Sequence, residues 1–289
     1  MLYRDDGDRS MKLRERTLGV GMRRRFQARV DRLSLPTGPS DPAPVVGEDL
    51  SALPSPAQRY LRFMGVVGRP RDWSFRARFA GGFRQRPGQR FMPCEAWQYN
   101  TSLVPARVYY IRIDFAGVLP MFGVDVYQAG HGHMHGKLLG LITVAEGSGP
   151  EFDVGELTTY VNDALMIAPS MLLTPAVAWT AVDDHSFDVS MSDGGISATS
   201  RVFVDDHGRM IDFSTTDRWA ALPGGLTRAR WTTPIDGWLD HEGQWLPTGG
   251  RAIWHLDTEE FEYVRGRFLP ESVEVNVPPE PHESLAISR

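Results

Sequence analysis

The run Asp193-Gly194-Gly195-Ile196-Ser197-Ala198-Thr199-Ser200-Arg201-Val202-Phe203-Val204-Asp205-Asp206-His207-Gly208 sets one strand-length segment between two tight-turn signals. Glycine and aspartate tolerate the positive φ that short hairpin turns demand. A meander of hairpins is therefore expected from about Ser186 to Thr216. The same signature recurs on both sides of it. In Trp73-Ser74-Phe75-Arg76-Ala77-Arg78-Phe79 apolar and polar residues alternate, as they do in Arg107-Val108-Tyr109-Tyr110-Ile111-Arg112-Ile113-Asp114. A period of two puts one face of each strand against a core. Further strands are expected at Thr227–Thr233, Arg251–Leu256 and Phe261–Phe268. Short strands at this spacing form an antiparallel sheet.

One helix interrupts the strands. Asp153 with Glu156 three residues on resembles a capping box, and Leu157, Tyr160, Val161, Ala164 and Leu165 follow at helical spacing. Pro169 ends it. The predicted fold is mainly β: one curved antiparallel sheet, a half-barrel, with the 153–166 helix on its concave face. A short helix near the start is predicted from Ser55-Pro56 and the spacing of Tyr60, Leu61 and Met64.

Four prolines in Leu35–Pro44 argue for an extended spacer. The organisation expected is a basic arm (1–35), a Pro-rich linker (36–52), the half-barrel (53–277) and a tail (278–289). Ten of the 31 Lys and Arg but only five of the 36 Asp and Glu fall in residues 1–35, so the remaining body is acidic. That argues against nucleic-acid binding, which needs clustered positive charge. Leu18, Met22, Phe26, Val30 and Leu33 fall near one helical face, so the arm offers a peripheral membrane or partner contact. The single cysteine, Cys94, excludes an intrachain disulfide. No apolar run approaches the roughly 20 residues of a membrane span, and a cytoplasmic location is expected.

Several features together resemble a family of bacterial proteins known only as a domain of unknown function. They are Leu53-Pro54-x-Pro56-x-x-Arg59-Tyr60-Leu61, the Gly130-His131-Gly132 segment after Tyr127, and Gly155-Glu156-Leu157-x-x-Tyr160. Trp179, the pair Asp217-Arg218, and Pro247 followed by Trp254 and Tyr263 complete the pattern. Such sequences are similar in outline to the half-barrel of periplasmic lipoprotein carriers, in which an open sheet holds acyl chains under a helical lid. The resemblance implies that architecture and an apolar interior, and it supplies no catalytic residues. Its members often look membrane-anchored at the amino terminus, a pattern from which this chain departs.

Three constellations bear on function. Trp97, Trp231, Trp254 and Tyr263 lie on separate expected strands and would line a cavity for an apolar small molecule or lipid. Asp217 and Arg218 would serve a cofactor-independent cyclase, isomerase or lyase, as acid/base and as stabiliser of negative charge. His131, His133 and His135 alternate, so an extended backbone puts three imidazoles on one face, the donor set of an open zinc or iron site with Asp125 as a nearby fourth ligand. Binding without catalysis is the leading expectation, and no cofactor is required by it. No phosphate-binding glycine loop, Gly-x-Ser-x-Gly elbow or His-Glu-x-x-His motif is present.

Overall fold

The computed structural model describes residues 21–279 except 22, 116–118 and 223. Gly194 and Gly195 both hold positive φ, 56° and 84°, the backbone of a two-residue turn whose twist matches its strands. The strands expected at 73–79, 107–114, 251–256 and 261–268 and the meander at 186–216 are present, within a longer series. The first six are β1 (Ser74–Phe83), β2 (Met92–Thr101), β3 (Ala106–Phe115), β4 (Leu119–Gln128), β5 (His131–Leu138) and β6 (Ile142–Ser148). After a helix come β7 (Val177–Asp183), β8 (Ser186–Asp193), β9 (Ile196–Val204) and β10 (Met210–Thr215). A small hairpin, β11 (Trp219–Leu222) and β12 (Gly225–Arg228), precedes β13 (Arg230–Thr232), β14 (Ile235–His241), β15 (Gln244–His255), β16 (Glu260–Phe268) and β17 (Glu274–Val275). The strand expected at Thr227–Thr233 is thus divided between β12 and β13.

The main sheet is antiparallel and runs β6-β5-β4-β3-β2-β1-β16-β15-β13-β10-β9-β8-β7, with β14 on β15 and β17 on β1. Two sequential meanders are joined through the pairing of β1 with β16. Nine strand spacings separate β4 from β8 along this path, about 43 Å if the sheet were flat. Yet Tyr127 Oη, at the end of β4, donates to Asp193 Oδ2 of β8 at 2.7 Å. The Gly130 amide reaches the same carboxylate at 3.1 Å. The sheet must curl for its two arms to touch. It does not close: among the described residues β6 and β7 share no ladder.

The helices are α1 (23–31), α2 (Ser55–Phe63) and α3 (Pro150–Ile167). α3 lies inside the curl, against β4, β5 and β6 of one arm, β8 and β9 of the other, and β15 between them. It begins three residues before the expected start. Asp153 accepts from the Gly132 amide at 2.7 Å and Glu156 pairs with a strand residue, so neither acts as the cap. A Cβ at Gly132 would lie 2.3 Å from the Phe152 carbonyl oxygen; glycine is what lets α3 sit so close to β5. The helix is buried on both its apolar and its polar side, including Glu156, Thr158, Asn162 and Asp163. Its last turn is closed by side chains, with Tyr60 donating to the Leu165 carbonyl and Gln244 to that of Ile167 at 2.6 Å. These satisfy carbonyls that a helix end leaves without partners.

Two stretches expected to lie outside the folded body are packed onto it. Val45 and Leu50, within the expected spacer, are fully buried in the core around α2 and α3. α1 lies on the outer face of the sheet, where Phe26 and Val30 bury against Tyr99, Val108, Tyr110, Val124 and Val126. Leu18 and Met22 of the same stripe lie outside the described residues. Both faces of β2–β4 are therefore covered, one by α1 and the other by α3.

Candidate functional site

Glu156 and Asp163 are seven residues apart on α3, two turns, and so share one side of it. That side meets the inward face of β2 and β3. Arg107 of β3 donates from Nη1 to Glu156 Oε2 at 2.8 Å and from Nε to Asp163 Oδ2 at 2.6 Å. Gln98 of β2 donates to Asp163 Oδ2 at 2.6 Å and to Asn100 Oδ1 at 2.9 Å. All five side chains are buried. Burial disfavours charge on Arg107, and Asp163, Glu156 and Asp125 more than offset this and keep the guanidinium protonated. Burial pushes the Glu156 carboxyl up to about 7; the Asp125 charge adds to this, and Arg107 and Arg218 oppose it. Asp163 is raised by burial against the pull of Arg107 and Gln98.

Further along the same inward face stand Tyr109 of β3 and, paired beside it, Asp125 of β4. Both are surrounded by protein yet retain accessible surface, so they line a recess rather than pack as core. Burial raises the Asp125 carboxyl, while Arg107 and Arg218 lower it. Arg218 approaches from the opposite wall. Its guanidinium lies 4.2 Å from the centre of the Trp231 ring and 5.6 Å from that of Trp254. Trp231 donates from Nε1 to Tyr263 Oη at 3.2 Å, and Tyr263 stacks on Trp254 with centroids 6.1 Å apart. Strand alternation continues the recess as an apolar floor of Phe79, Met92, Ala96, Ile111, Ile113 and Met121.

Trp231, Trp254 and Tyr263 are thus brought together as the sequence predicts, and Trp97 is not. Trp97 has the opposite parity to Gln98 and faces outward, under the Arg78 guanidinium at 4.5 Å and beside Phe26 at 6.0 Å. Asp217 and Arg218 part company in the same way. Asp217 turns to the surface, accepting from Arg228 Nη2 at 2.7 Å and from the Thr199 amide at 2.9 Å, while Arg218 turns in. The expected Asp217–Arg218 pair is not formed.

His131, His133 and His135 do share one side of β5. It is the outer side, since Val124 and Val126, their strand partners, pack under α1. Asp125 points the other way, opposite Met134. Among the described residues no three His, Cys, Asp or Glu side chains are grouped to hold a metal ion. Burial pushes the Cys94 thiol up to about 12, helped by Glu95 and Asp114, so it is not poised as a nucleophile.

Arg107, Gln98 and Asp163 escaped the sequence reading. The available signal was the acidic i, i+7 pair Glu156/Asp163 on α3, together with Arg107 in phase with Tyr109, Ile111 and Ile113. Two cavities lie apart from this site. One of about 350 Å³ lies against Ala80, Glu95, Arg112 and Arg267. The other, of about 390 Å³, lies at the rim between Pro105, Tyr160, Leu172 and Val177. Neither is lined by Arg218 or Asp125. Trp231 and Trp254 are only 3% and 6% exposed and pack into the main core.

Residues 43–266 match the model of a family of unknown function, DUF6544. The chain belongs to this family. The match spans β1 to β15 and most of β16, and so includes the ionic cluster and the aromatic wall. Comparison with curated proteins found no match. Among solved structures, similarity extends to an outer membrane lipoprotein-sorting protein domain from Vibrio parahaemolyticus, at 11% identity and a TM-score of 0.39, over 70% of this chain and 85% of that one. A LolA superfamily protein from Nitrosomonas europaea aligns at 12% identity and a TM-score of 0.38, over 73% and 90%. A beta-barrel-like protein of domain of unknown function DUF1849 from Brucella abortus aligns at 9% and 0.24, over 71% and 98%. No helix among the described residues is long and apolar enough to cross a membrane.

Proposed function

We propose that this chain binds an apolar or amphiphilic small molecule, an acyl chain among the candidates, against the Trp231–Trp254–Tyr263 wall, with a polar head at Arg218. The observation that carries this reading is the state of Arg218. Its side chain has no hydrogen-bond acceptor among the described residues, although it is held over two indoles and faces Asp125. Aromatic faces attract a cation but do not accept its five N–H donors in the plane of the fork. The guanidinium keeps solvent access, so its N–H donors are open to the acceptors of a ligand. A carboxylate or phosphate head would supply bidentate acceptors, and its tail would lie on the apolar floor.

Native mass spectrometry of the full chain purified without detergent tests this, followed by a tryptophan-fluorescence titration with a long-chain fatty acid. The expected result is a retained small molecule or a saturable fluorescence change that Arg218→Gln weakens. A chain that carries nothing and shows no saturable change defeats the proposal.

A second reading is favoured by Glu156. A carboxyl brought up to about 7 beside an arginine is the kind of group that acts as general acid or base. In a cofactor-independent cyclase, isomerase or lyase that role would fall to Glu156 or Asp125, because Asp217 is engaged at the surface. A mass change in bound ligand that stops in Glu156→Gln, with binding retained, separates this reading from simple carriage.

A further inference from the structure

The strand ends nearest the apolar floor carry a group of exposed apolar side chains. Phe115 ends β3 and Leu119 begins β4; Leu139 and Leu141 lie in the β5–β6 turn, and Ile142 begins β6. The β5–β6 turn is tied to β4 by the Leu139 amide donating to the Pro120 carbonyl at 2.8 Å. Leu141 is 82% exposed and Ile142 59%, so neither contributes to the core. Contiguous exposed apolar side chains on a folded domain mark an interaction site.

Charge says which partner fits. The first residues of α1 lie beside this group: Arg25 stacks over Phe122 at 4.8 Å, and its guanidinium is the nearest group to Gly140. Arg23, Arg24 and Arg25 are all exposed. The rim carboxylate Asp114 is already paired with Arg112 at 2.8 Å. Apolar tips flanked by exposed arginines, on a body otherwise acidic, complement an anionic lipid surface. The strand register adds a route inward: Leu138 pairs with Met121, and Met121 with Ile113, which stands on the floor of the recess.

We propose that the β5–β6 turn, with Phe115 at the end of β3 and Leu119 at the start of β4, inserts into the surface of an anionic phospholipid bilayer, with Arg23, Arg24 and Arg25 on its headgroups. This surface does not depend on a ligand in the recess. The test is flotation of the full chain with vesicles of phosphatidylcholine alone and with added phosphatidylglycerol. The expected result is salt-sensitive binding to the mixed vesicles. Leu141→Asp combined with Ile142→Asp lowers it about tenfold or more without moving the melting temperature, because both side chains are exposed. Replacing the three arginines by serine removes the preference for phosphatidylglycerol. Three results overturn the proposal: no flotation with either vesicle, undiminished flotation of the aspartate variant, or a concentration-dependent dimer that the aspartate variant abolishes. The last would assign the turn to a second copy of the chain.

Discussion

Two arginines enter the hollow of this sheet from opposite walls, and their surroundings differ. Arg107 is enclosed by Glu156 and Asp163 within hydrogen-bond distance, and the second carboxylate is also held by Gln98. Arg218 rests on Trp231 and Trp254 without an acceptor among the described residues. The first arrangement is complete and can only be damaged; the second is incomplete and can be completed from outside. A site for a guest is expected where the protein has left polar groups unsatisfied on purpose-shaped aromatic surface, not where its own network is closed.

Replacing each arginine by methionine breaks the comparison most directly. Arg107→Met leaves two carboxylates buried without their cation and should cost about 3–5 kcal/mol in chemical denaturation. Arg218→Met should cost about 1 kcal/mol or less, since only cation–π contacts are lost, while abolishing fatty-acid titration. Equal losses in the two variants would erase the distinction.

The pH dependence comes next in size. Glu156 is raised from 4.5 in the unfolded chain to about 7 in the fold, so the fold binds the proton more tightly. Its contribution is present below about 4.5 and is lost as pH rises through about 7, by at most about 3 kcal/mol. Glu156→Gln should flatten that fall in stability, measured by denaturant midpoints across the window. An unchanged slope would mean that Glu156 is ionised throughout.

Smaller effects refine the aromatic side. Tyr263→Phe removes the acceptor of the Trp231 indole N–H and should cost about 0.5–1.5 kcal/mol, with a shift in tryptophan emission. Asp217→Asn should cost less than about 1 kcal/mol, as expected for an exposed ion pair with Arg228, and should leave ligand titration unaltered. A loss of titration in Asp217→Asn would restore the acid/base role first expected for that residue.

The sequence pattern was informative where a single face decides burial. The grouping of Trp231, Trp254 and Tyr263 was readable for that reason, and the Asp193–Gly208 turns from their glycines; the stripe of α3 gave only part of its buried surface, because its polar side is buried too. Parity failed for Trp97 because both faces of β2 are covered, by α3 within and α1 without, so apolar residues occupy both phases. The histidine alternation correctly put three rings on one side but carried no information on which side. Arg107 could not be matched to its partners because Glu156 and Asp163 lie 49 and 56 residues further along the chain; only the curl of the sheet makes them neighbours. The short distance between Asp217 and Arg218 in sequence misled for the converse reason, since adjacent residues of an extended chain point apart.

The join at the rim has a mechanical consequence. The arms of the sheet meet there through the Asp193 carboxylate, shared between a phenol and an amide, and through the close backbone packing of Gly130 on Gly194, whereas every strand along the path is secured by a ladder. Releasing Asp193 would loosen that join with every strand pairing intact, and α3, packed against both arms, would remain to hold them together.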